Sequence, residues 1–321
     1  MDSIPDLMAR MERAEISEIV QRAEISEIVQ RAGDLVAEHY VFADVGARLR
    51  DLLTDRASDG AYGALVDPAA LAGVVTEDLQ SLNGDLHLRL RHHAVPLPEQ
   101  WDEEADRAAR ARDAGRSLHG VAKIDRLDGN VVHLVIAPQL FPVQLAGATL
   151  SLAMQLVANA DALLLDLREN RGGDPRTVAL VCGYLMDEPT HLVTMHQRDT
   201  GETVQSWSPA YVPGPRFGPT KPLYVLVGPT TFSGAEELAY DLQQLRPGST
   251  VVGERTRGGA HPCEGYRLHP HLELTVPVAR AIGATTGANW EGTGITPDVP
   301  VPAADALPVA YRLALAALGA Q

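Results

Sequence analysis

From Val121 onward, short apolar runs alternate with helical patterns, and this alternation limits the fold more than any other feature of the chain. The runs are NVVHLVI (130–136), ALLLDL (162–167), LYVLVG (223–228) and STVVGE (249–254). Three-four spacing predicts helices near 146–159, 175–186 and directly after Ser233, a hairpin over 191–207 turns at Thr200-Gly201, and further strands fall near 266–279. Strands that are apolar along their whole length have both faces buried, so the order predicts an α/β sheet covered by helices.

Two turns in this series carry possible chemistry. In YVLVGPTTFSGAEELAYDLQQL (224–245), a strand runs through a short turn holding Ser233 into an amphipathic helix. The first N–H groups of a helix lack intrahelical partners, and the positive end of its dipole favours developing negative charge, so a serine there suits an oxyanion-forming nucleophile. The plain alternative is a helix N-cap, with Glu236 closing a capping box. In ALLLDLRENRGGD (162–174), a buried strand leads into a turn with Arg168, Asn170 and the pair Gly172-Gly173, before a helix from about Pro175. Paired glycines let a backbone approach a ligand and present N–H groups to it.

Together these segments resemble the tail-specific (C-terminal-processing) serine protease family, which carries a D-[LI]-R-x-N-x-G-G turn and, some sixty residues on, a serine at a helix start. The resemblance runs from about Gly120 to Val301 and implies a crotonase/ClpP-like β-α core; no segment reads as a PDZ domain. Most bacterial members pair the serine with a downstream lysine. Here the corresponding stretch is GERTRGGAHP (253–262), and the only lysines, Lys123 and Lys221, both precede Ser233.

Two branches without that lysine are the closer match: tricorn core protease, and bacterial homologues of interphotoreceptor retinoid-binding protein. EDLQSLNGDLHLRL (77–90) resembles the tricorn segment that bears a histidine base, and NWEGTGITPDV (289–299) the segment that bears a glutamate. The resemblance thus implies His87 as base and Glu291 as the residue orienting a hydroxyl or the imidazole. Leu86 departs from the tricorn pattern, which has a serine before its histidine.

Chemistry asks for the same kinds of group. A serine hydroxyl needs a neighbouring base, and histidine is the usual one, itself oriented by an acid. Alternation in LHLRLRH (86–92) predicts a strand with His87, Arg89 and Arg91 on one face, where a histidine is often just a polar-face residue. His261, in GGAHP, competes as base because it lies where lysine-using relatives keep theirs. The oxyanion would be held by the N–H groups of Gly234 and of Gly172 or Gly173. Arg89 is a candidate for a substrate carboxylate; Arg168 is another, or else pairs within its own turn. His92 and His93 precede a proline-containing connector and are expected to face solvent. No H-E-x-x-H or C-x-x-C pattern announces a metal, and no cofactor is expected.

The expected organisation is an N-terminal helical domain with a strand carrying His87 (1–95), a charged linker (96–119) and the protease-like core (120–321). Near the N-terminus RAEISEIVQ occurs at 13–21 and again at 22–30. Nine residues make about 2.5 helical turns, so Ile25, Ile28 and Val29 fall opposite Ile16, Ile19 and Val20, and one surface cannot bury both copies. The first copy either meets a partner subunit, leaving a homo-oligomer open, or is a duplication with little structural role.

A net charge of −15 disfavours nucleic acid and anionic membranes as partners. No apolar run reaches membrane-spanning length, the start lacks a signal-peptide pattern, and two cysteines make no disulfide framework, which together point to the cytoplasm. The expectation is a serine hydrolase of peptide-like bonds acting on a peptide or small acyl substrate. Alternatives are a non-catalytic binder of apolar ligands and a biosynthetic acyl-transfer or cyclisation enzyme using the same oxyanion hole.

Overall fold

A computed structural model describes residues 4–65, 67–99 and 102–319, with the side chains of 4–21 outside the description. The chain forms two compact units: Met1–Gln100 with Gln197–Gly201 and Pro262–Ala279, and Trp101–His196 with Glu202–His261 and Arg280–Gln321.

The first unit is built on helices α1 (Ile4–His39), α2 (Ala43–Ser58) and α3 (Pro68–Gln80). Asp67 starts α3 by accepting the N–H groups of Ala69 and Ala70, with Pro68 at the first helical position, where its missing N–H costs nothing. Strand β1 (Arg89–His92) pairs antiparallel with β10 (Leu272–Pro277), which pairs with β9 (Cys263–His269). This pairing brings a late hairpin into the N-terminal unit. Val29, Val36, Leu49, Val75, Leu88 and Leu274 share its core. The second repeat copy buries Ile25, Ile28 and Val29, whereas the side chains of the first copy lie outside the described residues.

One local expectation is corrected here. His87 precedes β1 instead of lying on it, because the Asp85 carboxylate accepts the His87 N–H at 3.0 Å and closes a turn before the ladder begins. Cys263 opens β9 opposite Pro277.

The second unit starts with α4 (Glu103–Arg116), capped by Asp102, inside the stretch expected as a charged linker. Its six-stranded sheet has the order β12-β8-β7-β4-β3-β2, for β2 (Val121–Leu127), β3 (Val131–Ile136), β4 (Ala162–Asp166), β7 (Leu223–Val227), β8 (Ser249–Gly253) and β12 (Val299–Pro300). All pairs are parallel except β2 with β3.

Helices α5 (Val143–Val157), α6 (Pro175–Leu185) and α7 (Gly234–Leu245) share one core with the sheet, built around Leu134, Leu163, Leu165, Val225, Val251 and Leu238. A second core lies under α8 (Ala306–Ala317), whose Ala306, Ala310 and Ala314 meet Leu164, Tyr224 and Leu226. Three alanines four apart let that helix lie close to the strands. Every residue of β4 and β7 is buried, as expected of a sheet covered on both faces. The expected hairpin is β5 (His191–Gln197) and β6 (Thr203–Trp207), in one three-stranded sheet with β11 (Ala279–Gly283). Cys182, in α6, and Cys263 are free thiols. Among the described residues no helix is long and apolar enough to cross a membrane.

Candidate functional site

The site grows from the turns that follow β4 and β7, neighbours in the sheet. After β4, Asn170 holds the turn from within. Its side-chain N–H group donates to Ile136 O at 2.9 Å and its Oδ1 accepts the Gly172 N–H at 2.9 Å. Its backbone carbonyl takes the Phe232 N–H at 3.1 Å, and Thr231 Oγ1 donates to Leu167 O at 2.9 Å. The residue before Ser233 is thereby stitched to the glycine turn.

Ser233 itself has φ 55° and ψ −125°. An ordinary N-cap has extended dihedrals, whereas a non-glycine residue at positive φ costs on the order of 1–3 kcal/mol unless its surroundings impose it. Here they do. A Cβ at Gly172 (φ 98°) would stand 2.7 Å from both Phe232 O and Ser233 Cβ, and one at Gly234 would stand 2.8 Å from Gly173 O. The two turns therefore touch backbone to backbone, which only glycines permit. The Gly172 N–H is spent on Asn170, while no acceptor among the described residues meets the N–H of Gly173 or Gly234. Ser233 is half-buried, and Gly173 lines a cavity of about 430 Å³ with Gln139, Leu140, Arg110 and Asp174.

Glu236, fully buried on α7, joins this turn to the loop before His261. Its Oε2 accepts the Ser233 N–H at 2.8 Å and the Gly259 N–H at 2.9 Å, and its Oε1 accepts the Gly258 N–H at 2.7 Å and the Thr256 hydroxyl. Burial raises its pKa, and these donors offset only part of that. S-x-x-E signals a capping box, but nothing in the spacing announces bonds 20 or more residues away.

Glu291 sits beside His261. The His261 Nδ1 lies 3.3 Å from Glu291 Oε2, and the same oxygen accepts the Ala260 N–H. Trp290 Nε1 donates to Gly259 O at 2.7 Å, fastening the two loops together. His261 is 3 % exposed. Sequence spacing gave no sign of this pairing.

Arg168 is committed to its own turn. It donates through Nε and Nη2 to the two oxygens of Asp166, at 2.9 and 2.7 Å, and through Nη1 to Ala303 O at 2.7 Å. His133 Nε2 lies 2.9 Å from the same carboxylate. Burial alone would raise the Asp166 pKa, but the hydrogen bonds from His133 and Arg168 prevail and hold it at about 2.

His87 and Arg89 belong to the first unit. His87 is buried, and its carbonyl accepts the Thr275 hydroxyl at 2.7 Å. Asp85, which shapes its turn, also accepts the Tyr40 hydroxyl at 2.9 Å. Arg89 stands opposite Thr275 in the ladder.

In the second unit a mostly parallel α/β sheet thus leads into a strained serine packed on a paired-glycine turn. The chain belongs to peptidase family S41: residues 141–301 match that family, and residues 12–115 match the N-terminal domain of the family in eukaryotic IRBP. Solved structures share the fold at low identity. A lipoprotein from Streptococcus agalactiae aligns with TM-score 0.60 and 16% identity over 91% of this chain and 96% of that one. The photosystem II D1 C-terminal processing protease gives 0.50 and 16% over 92% and 98%. The tricorn protease gives 0.55 and 13% over 93% of this chain and 37% of that longer one.

Proposed function

We propose that this protein is a serine hydrolase of peptide-like bonds, with Ser233 as nucleophile. The observation that carries the reading is the backbone of Ser233, forced to φ 55° where β7 passes into α7, with Ser233 pressed against Gly172 and Gly234 against Gly173. Strain of this kind presents a hydroxyl above a helix N-terminus and has no use in an ordinary cap. Membership of a peptidase family agrees with it.

In this mechanism a base takes the Ser233 proton as Oγ adds to the carbonyl carbon, and the carbonyl oxygen becomes an oxyanion. Gly234 and Gly173 donate N–H groups to that oxyanion, each such donor being worth about 3 kcal/mol to the transition state. Gly172, expected as an equal candidate, instead gives its N–H to Asn170 and shapes the turn. The base returns its proton to the leaving group, and water then releases the acyl group from Ser233 by the same steps. His87 is the base, on its resemblance to the tricorn segment, and it lies within residues 12–115, matched to the family's N-terminal domain. Glu291 is its acid partner, its carboxylate fixed by His261 and the Ala260 N–H. Arg89 would meet a substrate carboxylate, whereas Arg168 supports the turn.

In this reading the first unit, which takes in Pro262–Ala279 as well as the expected residues 1–95, acts as a helical domain, and the second unit is a crotonase-like protease core. Two free thiols suit the reducing cytoplasm. A second reading rests on one distance: with His261 Nδ1 3.3 Å from Glu291, His261 would be the base and Glu291 its orienting acid. The test of the common part of both readings is covalent capture of Ser233 by a fluorophosphonate.

A further inference from the structure

Thr256 lies in the loop between β8 and His261, and it is buried. The direction of its hydroxyl follows by elimination. The Ile295 N–H, which can only donate, meets Thr256 Oγ1 at 2.7 Å, so the hydroxyl hydrogen points at its other neighbour, Glu236 Oε1. The Glu236 carboxylate then has two donors on each oxygen: the Thr256 hydroxyl and the Gly258 N–H on Oε1, the Ser233 and Gly259 N–H groups on Oε2. Only the ionised form accepts all four, since a proton on either oxygen would face a donor.

Thr256 also grips the segment that carries Glu291. Its N–H donates to Ile295 O at 3.2 Å while its Oγ1 takes the Ile295 N–H, a two-way clasp on one residue. A Cβ at Gly294 would stand 2.2 Å from Thr256 O, so the turn over 290–294 lies directly against Thr256. That turn is closed by the Thr293 and Gly294 N–H groups on Trp290 O, at 3.2 and 2.9 Å, and Glu291 is its second residue. On the other side the Arg257 N–H donates to Thr231 O at 3.2 Å, two residues before Ser233. The Thr256 hydroxyl thus stands one bond from the carboxylate holding the Ser233 N–H and one bond from the residue that follows the Glu291 turn.

We propose that Thr256 is a positioning residue that sets Ser233 and Glu291 in register through its hydroxyl bridge from Glu236 to Ile295. The inference rests on the reading of Ser233 as nucleophile. Valine has nearly the shape of threonine but neither donates nor accepts. In Thr256→Val, Glu236 Oε1 loses a donor and the Ile295 N–H loses its acceptor, and both groups are buried. The carboxylate is then drawn towards its three backbone donors, the Ser233 N–H among them, while the Glu291 turn loses its tie. A displacement of about 1 Å can cost about a hundredfold in rate, so a smaller shift accounts for a tenfold loss. Serine keeps the bridging hydroxyl and lacks only the methyl group.

The test follows fluorophosphonate labelling of Ser233 and steady-state peptide hydrolysis in the full chain. Thr256→Val should lower the labelling rate and kcat at least about tenfold with KM within about twofold of wild type, and Thr256→Ser should bring both back to within about threefold. Joining Thr256→Val to Glu236→Gln should cost no more than about threefold beyond the larger single loss, because both changes break one bridge. Circular dichroism at the assay temperature checks that each variant is folded, and Thr256→Ala takes the place of Thr256→Val should the latter not fold. Wild-type kcat and labelling in the folded variant, a Thr256→Ser as impaired as Thr256→Val, or losses that multiply with Glu236→Gln would overturn the proposal while leaving Ser233 as nucleophile. Wild-type protein that takes no label removes instead the reading on which the proposal rests.

Discussion

The buried carboxylate of Glu236 accepts the backbone N–H of Ser233 at 2.8 Å and, through the same oxygen, the N–H of Gly259 at 2.9 Å. One side chain thus fixes the turn holding the proposed nucleophile and the loop leading to His261. In Glu236→Gln, an amide would face donors now served by an acceptor. A buried donor left against other donors costs about 1–3 kcal/mol, more where a charge was involved. The expected outcome is a lowered melting temperature together with at least about a tenfold fall in kcat, measured by thermal unfolding and peptide hydrolysis. Wild-type kcat in a less stable variant would show that Glu236 holds only the fold.

The strain at Ser233 predicts a trade between stability and activity. Glycine adopts φ 55° without penalty, so Ser233→Gly should unfold at higher denaturant concentration than wild type, by about 1 kcal/mol, while losing hydrolysis. Ser233→Ala, which keeps the strained backbone, should lose activity with little gain in stability. An N-cap serine would behave in the opposite way, since its removal destabilises.

The two candidate bases separate by kinetics. His87→Ala should lower kcat at least about a hundredfold, the scale of losing a general base, and His261→Ala should do much less, acting through the orientation of Glu291. The reverse ordering in steady-state assays moves the base to His261.

A further prediction concerns pH. Glu237 and Asp241 lie buried on α7, where burial first, then Asp174 for Glu237 and Glu237 for Asp241, push their pKa values up, Glu237 to about 8. The Cys182 thiol of α6, raised mainly by burial, feels both carboxyls. In the unfolded chain Glu237 releases its proton near the ordinary value of 4.5, whereas the folded protein retains it until about pH 8. Its protonated burial is therefore fully tolerated below about pH 4.5, and stability falls as pH rises from there through about 8. Denaturant unfolding from pH 5 to 9 should show this decline, and Glu237→Gln should flatten it. Asp166 acts in the opposite sense, its stabilisation being lost only as pH falls from 3.8 through about 2.

Much of the second unit was legible because fully apolar strands and capped helices are local signals: LYVLVG gave β7, and Asp174-Pro175 gave the start of α6. The paired glycines and Ser233 were legible for the same reason, since each sits in a turn defined by its own neighbours. Long-range partners were not. Alternation in LHLRLRH predicted a strand through His87, but the Asp85 carboxylate takes the His87 N–H, and the strand starts only at Arg89. Glu236 reaching Gly258, His261 meeting Glu291, and His92 meeting His271 join segments whose approach is set by sheet order and loop packing, which a single sequence does not encode at fixed spacing. Arg168 carried a sequence ambiguity, substrate contact or turn pairing, and its bonds to Asp166 and Ala303 support the second.

The central claim is that Ser233 is an activated nucleophile, and intact-mass analysis after treatment with a fluorophosphonate tests it most directly. Wild-type protein should gain the mass of one phosphonyl group, mapped to the Ser233 peptide, and Ser233→Ala should gain none under the same conditions. Wild-type protein that stays unlabelled while properly folded, or labelling that persists in Ser233→Ala, would contradict the account and favour a non-catalytic ligand-binding protein on the same fold.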